Sequence, residues 1–517
     1  MKQANENYEP FRKAIMVGKA ADPEPTKSVQ RPQPTPRPRP TPANRPFTIV
    51  VTNTNDNGPG SLRQALADAG DGYTIIFSIT GTIGLTSGEL LVDKIISISG
   101  PGADTLAVDG GATARVFHIG TGKSVFISGM TIMNGNTCCI SPNGGGIYND
   151  HAALTINDCA ISGNVAINGG GVYNDGSNGV ANAVINNTIF NNNSASLDGG
   201  AIYNNGESGV GNLNVQTTTL SGNSANDGAG IANDQANSIL NNCVVTGNSA
   251  AVNGGVASNT ANQGGYAVLE IIESILSENS AVNAGGGISN LAQTGSANVY
   301  ISGSTLSGNS AGNGGGGISN LAQTGSANVY ISNSTLSGNF AGNGGGGVEN
   351  FGGFPPNSNA TVNLYIMDTT FSGNSSPFAG GGIMNEGAFG THPVVSLANT
   401  ILNAGESGPN IDNDEGAVTS LGYNLSSDDG SGFLTEPGDQ VNTDPLLGPL
   451  RNNGGPTLTH ALLAGSPAID AGDPGFTPPP FYDQRGPGFQ RVVNGRIDIG
   501  SFEVQTPTGT TRLTATP

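Results

Sequence analysis

The chain has 517 residues, of which 82 are glycine and only 11% are charged, and its formal net charge is −20. It has no regular glycine triplet, which excludes a collagen-like chain. Between Lys123 and Arg451 there is no Lys or Arg but there are 22 Asp and Glu residues, so we expect no nucleic-acid partner, and polyanionic sugars and acidic lipids are disfavoured for the same reason.

The first segment, residues 1–46, is rich in proline and basic residues and contains the run RPQPTPRPRPTPANRP. Alternating proline favours an extended geometry that cannot pack a core, so we predict a disordered basic spacer. The stretch KAIMVGKAA is too short and too polar for the core of a signal peptide. No run of about 18 apolar residues predicts a membrane span.

Residues 47–132 are predicted to form an N-terminal cap and the first coils of a larger array. FTIVVTNTND alternates as a β-strand does. SLRQALADAG is typical of a short helix with Ser61 as its N-cap and Gly70 as its stop signal. Short apolar runs such as YTIIFSI and SVFISGMTI follow between glycine turns and predict short strands.

Residues 133–404 carry a repeat with a modal period of 30 residues, marked by two rows of asparagine. A period of this length is typical of solenoids, propellers and arrays. The first row follows the pattern SGN and comprises Asn164, Asn193, Asn223, Asn248, Asn279, Asn309, Asn339 and Asn374. The second row ends segments of the type GGGIxN and comprises Asn149, Asn174, Asn204, Asn233, Asn259, Asn290, Asn320, Asn350 and Asn385.

The residues between the two rows distinguish among these architectures. Apolar residues stand eight positions and, in most repeats, ten positions before each first-row asparagine, a period of two that is typical of strands. Propeller blades need four comparable strands and hairpin turns, which the pattern lacks. We therefore predict an all-β fold, a right-handed single-stranded parallel β-helix with about three short strands per coil, a short N-terminal capping helix and a C-terminal cap.

Glycine runs such as the GGGG at 314–317 and 344–347 are interpreted as tight corners of this helix rather than as linkers. The two asparagine rows are predicted to form structural ladders, in which each side-chain amide bonds its counterpart in the next coil. We therefore do not interpret these asparagines as ligand-binding groups.

Candidate catalytic chemistry is sparse in the repeats. A polysaccharide lyase needs a basic residue, which the repeats lack, and a glycoside hydrolase needs two carboxylates roughly 5–9.5 Å apart. Aspartates beside turns commonly act as local caps, and we expect five of them to stand singly: Asp150, Asp175, Asp198, Asp227 and Asp234. The acidic stretch 410–416 is interpreted as a solvated loop rather than a calcium site. We predict no catalytic residue, no metal and no cofactor.

The four cysteines are Cys138, Cys139, Cys159 and Cys243. Their spacing matches neither a metal site nor a disulfide-dense framework, so the disulfide state stays open. Cys159 and Cys243 stand five residues before a first-row asparagine, in a row that is otherwise Ser or Thr.

Residues 405–505 are predicted to form a C-terminal cap, because an open solenoid end exposes strand edges, and residues 506–517 a flexible tail. The predicted cap holds the densest mixture of titratable groups in the chain: His460, Asp470, Asp473, Asp483 and Arg485. The flanking segments SPAID and DQRG are turn-rich, which favours a cap held by turns and ion pairs over a hydrolytic site.

Loop length varies in one connection of the repeat, the one after each second-row asparagine. Stacking places these loops on one edge of the solenoid, where insertions often mark a binding face. The two longest loops predict a binding patch for a protein or a neutral sugar, formed by Phe351, Phe354, Pro355, Pro356, Phe389 and His392. The alternative is that these phenylalanines pack under their own loops.

The motifs FNNN at 190–193, FSGN at 371–374 and GGAI at 199–202 resemble the repeats of the chlamydial polymorphic outer-membrane proteins. The block DPLLGPLRNNGGPTLTHALLAGSPAIDAGD, with DQRG and DIGSFE after it, resembles the choice-of-anchor Q domain of bacterial surface and secreted proteins. The opening VVTNTNDNGPGSLRQALADAG is similar to the start of the same large β-helix proteins. The resemblance covers about residues 47–505 and implies a pectin-lyase-like β-helix outside the cell.

Together these features predict a non-enzymatic, monomeric scaffold that is extracellular or displayed on a cell surface, adhesin-like, and bound to a surface protein or a polysaccharide. The alternative is a carbohydrate-active β-helix enzyme, a lyase or a hydrolase, that acts on a neutral polysaccharide. A cleft lined by two or three converging carboxylates would favour the enzyme, and its absence would favour the scaffold.

Overall fold

The computed structural model of the protein describes residues 47–137, 142–353, 360–388 and 390–505. The predicted spacer 1–46, the predicted tail 506–517, Cys138 and Cys139 lie outside the described residues. The described residues from Ile49 onward belong to one compact unit. None of the described helices has the length and apolar character needed to span a bilayer.

The chain folds as an all-β parallel solenoid, which confirms the predicted fold class. Each strand pairs in parallel with its counterparts in the coils before and after it. In the described part of the chain the strands form four sheets, A, B, C and D, with 14, 13, 12 and 7 strands. A full coil passes from sheet C to sheet A, then through sheet B to sheet D.

Sheet A contains Thr48–Val51, Thr74–Phe77, Ile96–Ser99, Ser124–Ser128, Ala153–Asn157, Val180–Asn186, Val210–Gln216, Asn237–Asn241, Tyr266–Ile272, Ser296–Ser302, Ser326–Ser332, Thr361–Met367, Val394–Ala398 and Ala417–Ser420. Sheet B contains Gly81–Gly84, Leu106–Asp109, Thr131–Met133, Ala160–Ser162, Ile189–Asn191, Thr219–Ser221, Val244–Thr246, Ile275–Ser277, Thr305–Ser307, Thr335–Ser337, Thr370–Asn374, Ile401–Ala404 and Leu425–Ser426. Sheet C contains Leu90–Val92, Phe117–Ile119, Ile147–Asp150, Val172–Asp175, Ile202–Asn205, Ile231–Asp234, Ala257–Ala261, Ile288–Ala292, Ile318–Ala322, Val348–Gly352, Ile383–Gly387 and Ile411–Asp414. Sheet D contains Val165–Ala166, Ser194–Ala195, Ser224–Asp227, Ser249–Asn253, Ser280–Ala281, Ser310–Ala311 and Phe340–Ala341.

The inward-facing residues of the strands stack in register along the solenoid. Ile156 pairs with Ile185 in the next coil, and Ile185 pairs with Val215 in the coil after that. All three are fully buried in one continuous core. Because such residues stack from coil to coil, the core is a column of aliphatic residues rather than a single globular cluster. Burying each side chain of this size stabilises the fold by about 1.5–3 kcal/mol.

The coils that contribute to sheet D have four strands, whereas the sequence predicts about three strands per coil. The strands of sheet D are as short as two residues, as in Ser194–Ala195, and follow directly after a first-row asparagine. Only one alanine per coil points inward there, and Ala195, Ala225 and Ala250 belong to a small cluster of their own. A single small apolar residue carries no detectable period, which is why the pattern predicts three strands where the structure has four.

The N-terminal end of the core is covered by the short helix Leu62–Asp68. The hydroxyl oxygen of Ser61 accepts a hydrogen bond from the backbone N–H of Gln64 at 3.2 Å, as an N-cap residue does. Leu62 and Leu66 are buried in the main core. The helix therefore covers the apolar end of the first coils.

The first-row asparagines hydrogen-bond one another from coil to coil inside the solenoid. Asn309 is representative, because its Nδ2 donates to Oδ1 of Asn339 at 2.9 Å and to the Leu276 carbonyl at 3.0 Å. Its Oδ1 accepts from the backbone N–H of Asn279 at 3.1 Å and from the Asn279 side chain at 3.0 Å. Each side chain thus ties together three successive coils.

The second-row asparagines are also buried and bonded in series. Asn290 donates to Asn320, and Asn320 to Asn350, each at 2.8 Å. Asn320 Nδ2 also donates to the Asn363 carbonyl at 3.1 Å, so the row links sheet C to the sheet A strand of a neighbouring coil. Both rows are enclosed by the chain and offer no amide to a ligand.

The GGGG corner at 314–317 requires glycine because neighbouring backbone lies against it. A Cβ at Gly316 would lie 2.4 Å from the Phe340 carbonyl oxygen, and one at Gly317 would lie 2.5 Å from that of Gly347. No side chain fits at such distances. The corner ends the coil 288–317. This coil differs from the next one, 318–347, only where Gly303 is replaced by Asn333 and Ser310 by Phe340.

The segment predicted as one C-terminal cap has two parts. The first closes the end of the stack, where Leu434 joins the main core and Asp439 Oδ1 accepts from the Asn424 backbone N–H at 2.8 Å. The second part, residues 445–504, is named here the C-terminal arm. It lies along the side of the solenoid, against the outer face of sheet B.

Polar contacts and one buried ion pair attach the C-terminal arm. Gln484 Nε2 donates to Thr305 Oγ1 at 3.0 Å, and the hydroxyl of Thr335 donates to Gln484 Oε1 at 2.6 Å. The Arg491 guanidinium meets Asp368 Oδ1 at 2.8 Å, and both side chains are fully buried. The arm therefore covers sheet B over several coils.

Candidate functional site

The outer face of sheet C forms the floor of a groove, named here the sheet C groove. The floor consists of the second residue of ten successive sheet C strands, from Phe117–Ile119 to Ile383–Gly387, and these residues stack in register from coil to coil. They are His118, Tyr148, Tyr173, Tyr203, Ala232, Ser258, Ser289, Ser319, Glu349 and Met384.

One side of the groove is a third row of stacked polar residues, named here the rim row, which lies just before the glycine corners. Asn283 donates to Asn253 at 3.0 Å, and Asn253 donates to Asp227 Oδ1 at 2.9 Å, so the row is a hydrogen-bonded ladder of its own. The row comprises Asn143, Asn168, Asp198, Asp227, Asn253, Asn283, Asn313 and Asn343. Two adjacent aspartates therefore interrupt a row of asparagines.

The opposite side of the groove is formed where the sheet C strands end. Asp150 pairs in register with Asp175, Asp175 with Asn205, and Asn205 with Asp234. Thr260 follows Asp234 in the next coil. This side is polar and acidic, like the rim row that faces it across the floor.

A cavity of about 310 Å³ lies between the two sides. Asp198 and Asp227 line it from the rim row, Tyr203 from the floor, and Asp234 from the opposite side. Hydroxyl and amide groups complete the lining, from Asn253, Ser258, Thr260, Asn262, Ser289 and Gln293, with Ala232, Asn233 and Leu291.

The expectation that five aspartates stand singly is wrong, because Asp150 lies in register with Asp175 and the other three line one cavity. Asp198 and Asp227 are bridged in parallel across neighbouring coils, and Asp234 lines the same cavity. Stacked coils bring residues one period apart to within about 4.8 Å of each other. The 29-residue separation of Asp198 and Asp227 was therefore a signal in the sequence, but it requires knowing that both lie in the same row.

The surroundings of these carboxyls favour their protonated forms. Burial, together with the negative charges of Asp227 and Asp234, raises the pKa of Asp198 to about 6. Burial also raises the pKa of Asp227 and that of Asp234, against hydrogen bonds from Asn253 and Tyr203 that lower them. Asp198 therefore keeps its proton to higher pH than an ordinary aspartate does.

A column of three tyrosines continues the floor from the cavity toward the N-terminal coils. The rings of Tyr173 and Tyr203 are stacked, with centroids 4.9 Å apart. The ring of Tyr148 is tilted against that of Tyr173, and their centroids lie 5.6 Å apart. The Tyr203 hydroxyl donates to Asp234 Oδ2 at 3.1 Å, and that of Tyr148 donates to Asp175 Oδ2 at 2.6 Å. Burial raises the pKa of all three phenols, so they stay protonated.

The N-terminal end of the groove carries a charged network. Arg115 Nη1 meets Glu89 Oε2 at 2.5 Å, and His118 Nδ1 lies 3.0 Å from Glu89 Oε1. His151 hydrogen-bonds Asp150 through Nδ1 and the Ser177 carbonyl through Nε2, and these contacts raise its pKa.

The same network contains a group with the composition of a metal site. Donor atoms of Asp150, His151 and Asp175 lie within 4.8 Å of one another. Both ring nitrogens of His151 already have partners, and Asp175 accepts hydrogen bonds from Tyr148 and Ser177. We interpret the group as part of an ion-pair network.

The predicted binding patch is only partly visible. Phe354, Pro355, Pro356 and Phe389 lie outside the described residues. Phe351 is half-buried in sheet C, in register with Leu321 and Glu386. His392 is exposed, and its Nδ1 lies 2.8 Å from the Glu415 carbonyl oxygen. The bases of the two loops do meet, because Thr391 Oγ1 donates to the Gly352 carbonyl at 2.6 Å.

Several charged groups of the C-terminal arm meet in a buried network, in which Glu503 lies 3.9 Å from Arg491, its backbone N–H donates to Asp483, and its carboxylate accepts from the backbone N–H of Asp498. Asp483 and Arg485 form a buried ion pair at 2.5 Å, and His460 bridges the Gly448 carbonyl and Ser337. The backbone N–H groups of Asp470 and Asp473 bond Asp498 and Asn399 respectively. These residues attach the arm to itself and to the solenoid.

The model of the Chlamydia polymorphic membrane protein (Chlamydia_PMP) repeat matches residues 187–205, which include the FNNN and GGAI motifs. No curated protein matches the sequence.

Two solved structures resemble the chain at low sequence identity. "Crystal structure of pectate lyase Pel9A" is 13% identical, with 89% of this chain and 98% of that chain covered and a TM-score of 0.36. "A new PL6 alginate lyase complex with trisaccharide" is 10% identical, with 82% of this chain and 92% of that chain covered and a TM-score of 0.36.

Proposed function

We propose that the protein is an extracellular or cell-surface scaffold that binds a neutral polysaccharide along the sheet C groove, whose cavity also holds the converging carboxylates expected of the enzyme alternative. The observation that carries the proposal is the cavity of about 310 Å³ between Asp198, Asp227, Tyr203 and Asp234. It opens onto a floor of stacked residues that repeats coil after coil, as an extended ligand requires.

The chemistry of the groove suits sugar hydroxyls. Around the cavity the lining offers carboxylate, amide and hydroxyl groups, which pair well with the hydroxyls of an uncharged sugar. The chain has no Lys or Arg between Lys123 and Arg451 to pair with carboxylate or sulfate groups. An anionic polysaccharide would meet like charge around the cavity, and its binding there would be disfavoured.

The location outside the cell is supported by the match of residues 187–205 to a repeat of surface proteins. The resemblance of the C-terminal arm to the choice-of-anchor Q domain points the same way. A rigid stack that presents a long groove suits attachment of a cell to a polysaccharide-bearing surface, which is the adhesin-like role expected from the sequence.

Binding to immobilised polysaccharides tests the proposal. The full chain should bind one or more neutral polysaccharides in a panel of mannan, xylan and arabinogalactan, and should not bind alginate or polygalacturonate. The variant Ser258→Phe, which fills the cavity, should reduce binding at least tenfold. Asn182→Phe, an exposed position on the outer face of sheet A, is the matched control and should bind as the wild type does.

Binding that favours the anionic polysaccharides, or a Ser258→Phe variant that binds as tightly as the wild type, would contradict the proposal. Capture of a surface protein without any binding to the panel would assign the groove to a protein partner instead.

A further inference from the structure

Asp198 and Asp227 are the exceptions in a rim row of asparagines. Asparagine at these two positions would also continue the hydrogen-bonded ladder. In the neighbouring coils this row is asparagine, as at Asn168 and Asn253. An asparagine both donates and accepts, so it can continue the ladder, whereas a carboxylate only accepts. Asp198 and Asp227 also place like charges side by side in a partly buried position, which costs stability.

The same two positions are the rim residues that face Asp234 and Tyr203 across the cavity. Burial raises the pKa of Asp227 and of Asp234, and the hydrogen bonds that Asp227 Oδ1 accepts from Asn253 and Asp234 Oδ2 accepts from Tyr203 oppose this rise. Burial and these two carboxyls raise the pKa of Asp198 to about 6. One cavity therefore holds a proton donor together with acceptors.

We propose that the cavity hydrolyses a glycosidic bond of the polysaccharide that the groove binds, with Asp198 as the proton donor and Asp234 as the base that activates water. This inference rests on the proposed function, because the substrate is the polysaccharide held in the sheet C groove. Asp227 is a positioning residue, since its negative charge keeps the proton on Asp198.

The reaction balances with water as the only co-reactant. The Asp198 carboxyl gives its proton to the bridging oxygen while the bond from that oxygen to the anomeric carbon breaks, and the electron pair of the bond goes to the oxygen. A water oxygen bonds to the anomeric carbon, and one proton of that water passes to the carboxylate of Asp234, which lines the cavity. Asp234 then releases this proton to solvent, and Asp198 takes one up from solvent.

The experiment incubates the full chain with each neutral polysaccharide that it binds and measures new reducing ends between pH 4 and 8. We expect hydrolysis by the wild type, and a loss of at least about 100-fold in Asp198→Asn, the usual contribution of a general acid. Asp198→Asn should bind the polysaccharide as before. In Asp227→Asn the loss of one negative charge should lower the pKa of Asp198 and move the alkaline limb of the pH profile to lower pH.

The control is Asp158→Asn, the same chemical change in another stacked row, where Asn187 of the next coil donates to the Asp158 carboxylate at 2.6 Å. This variant should keep the wild-type rate and pH profile.

The outcomes separate the two proposals. Wild-type binding without new reducing ends overturns hydrolysis and leaves the scaffold function intact. Unsaturated sugar ends in place of simple reducing ends would overturn the reaction class, and a fully active Asp198→Asn would overturn the assignment of the donor. Absence of binding to the whole panel would overturn both proposals.

Discussion

Asp198 and Asp227 lie side by side in adjacent coils, bridged in register, in a row where the coils on either side carry asparagine. Within the described residues, the same cavity receives Asp234 from the opposite side of the groove. The pair costs the fold a hydrogen bond and adds electrostatic repulsion, and this cost can be measured separately from any activity.

Replacing Asp198 by asparagine should stabilise the protein at neutral pH. The pKa of Asp198 in the folded protein is about 6, above its ordinary value of 3.8. The folded state is therefore favoured by protonation, and this contribution is complete below pH 3.8 and is lost as the pH rises through 6. We expect Asp198→Asn to raise the free energy of unfolding at pH 7 by about 1–3 kcal/mol, and to change it little at pH 3.5.

Thermal melting at the two pH values measures this difference, with Asp158→Asn as the control. An equal shift at both pH values would show that hydrogen bonding rather than ionisation is responsible.

The buried asparagine ladder should tolerate no apolar substitution. Asn309→Leu removes the side-chain partner of the buried Asn279 backbone N–H and of the Leu276 carbonyl. Each buried unsatisfied group costs about 1–3 kcal/mol, so we expect a loss of at least about 2 kcal/mol in urea-induced unfolding. Asn313→Leu, in the exposed rim row of the same coil, is the matched control and should lose under about 1 kcal/mol because water replaces the lost partner. Equal losses in the two variants would refute the role of burial.

The buried ion pair should hold the C-terminal arm in place. Arg491→Met removes the cation that faces the buried Asp368 carboxylate at 2.8 Å, and removing one member of such a pair costs about 3–5 kcal/mol. We expect the arm to become the first site of proteolysis, detected by mass spectrometry of the fragments. Arg451→Met is the control, because the Arg451 side chain is exposed and its Nε donates to Asn453, two positions away. Identical cleavage patterns in both variants would contradict this prediction.

The two parts of the C-terminal region should differ in what their removal does. A chain that ends at Asp444 keeps Leu434 over the core, and we expect it to remain monomeric but to melt at a lower temperature. A chain that ends at Ala404 leaves the last coil open, and its exposed strand edges should cause aggregation. Size-exclusion chromatography with light scattering measures both, and a monomeric chain ending at Ala404 would show that the end needs no cover.

The fold was predictable because its main signals are repeated in every coil. Ile156, Ile185 and Val215 are separated by one period each and alternate with polar residues, which predicts stacked parallel strands. The asparagine rows follow the same period. Repetition averages out the ambiguity that a single short apolar run would have.

The candidate site could not be predicted in the same way, because it depends on departures from the repeat. Asp198 and Asp227 were visible in the sequence but looked like ordinary turn residues. Placing them opposite Tyr203 and Asp234 requires the path of the chain between sheet D and sheet C. That path depends on strands as short as Ser194–Ala195, whose only inward residue is an alanine. A pattern search for apolar periods does not detect such strands.

The near-identity of the coils 288–317 and 318–347 has a consequence for the gene. Asn290 pairs in register with Asn320, and Ser296 with Ser326. The two coils therefore offer nearly identical stacking surfaces to the coils next to them. Unequal recombination between the two nearly identical DNA segments would add or delete one whole coil and still leave matching surfaces at the junction. Such events change the length of the groove in steps of about 4.8 Å. Natural variants of this gene are therefore expected to differ by multiples of 90 nucleotides, the coding length of the 30-residue period.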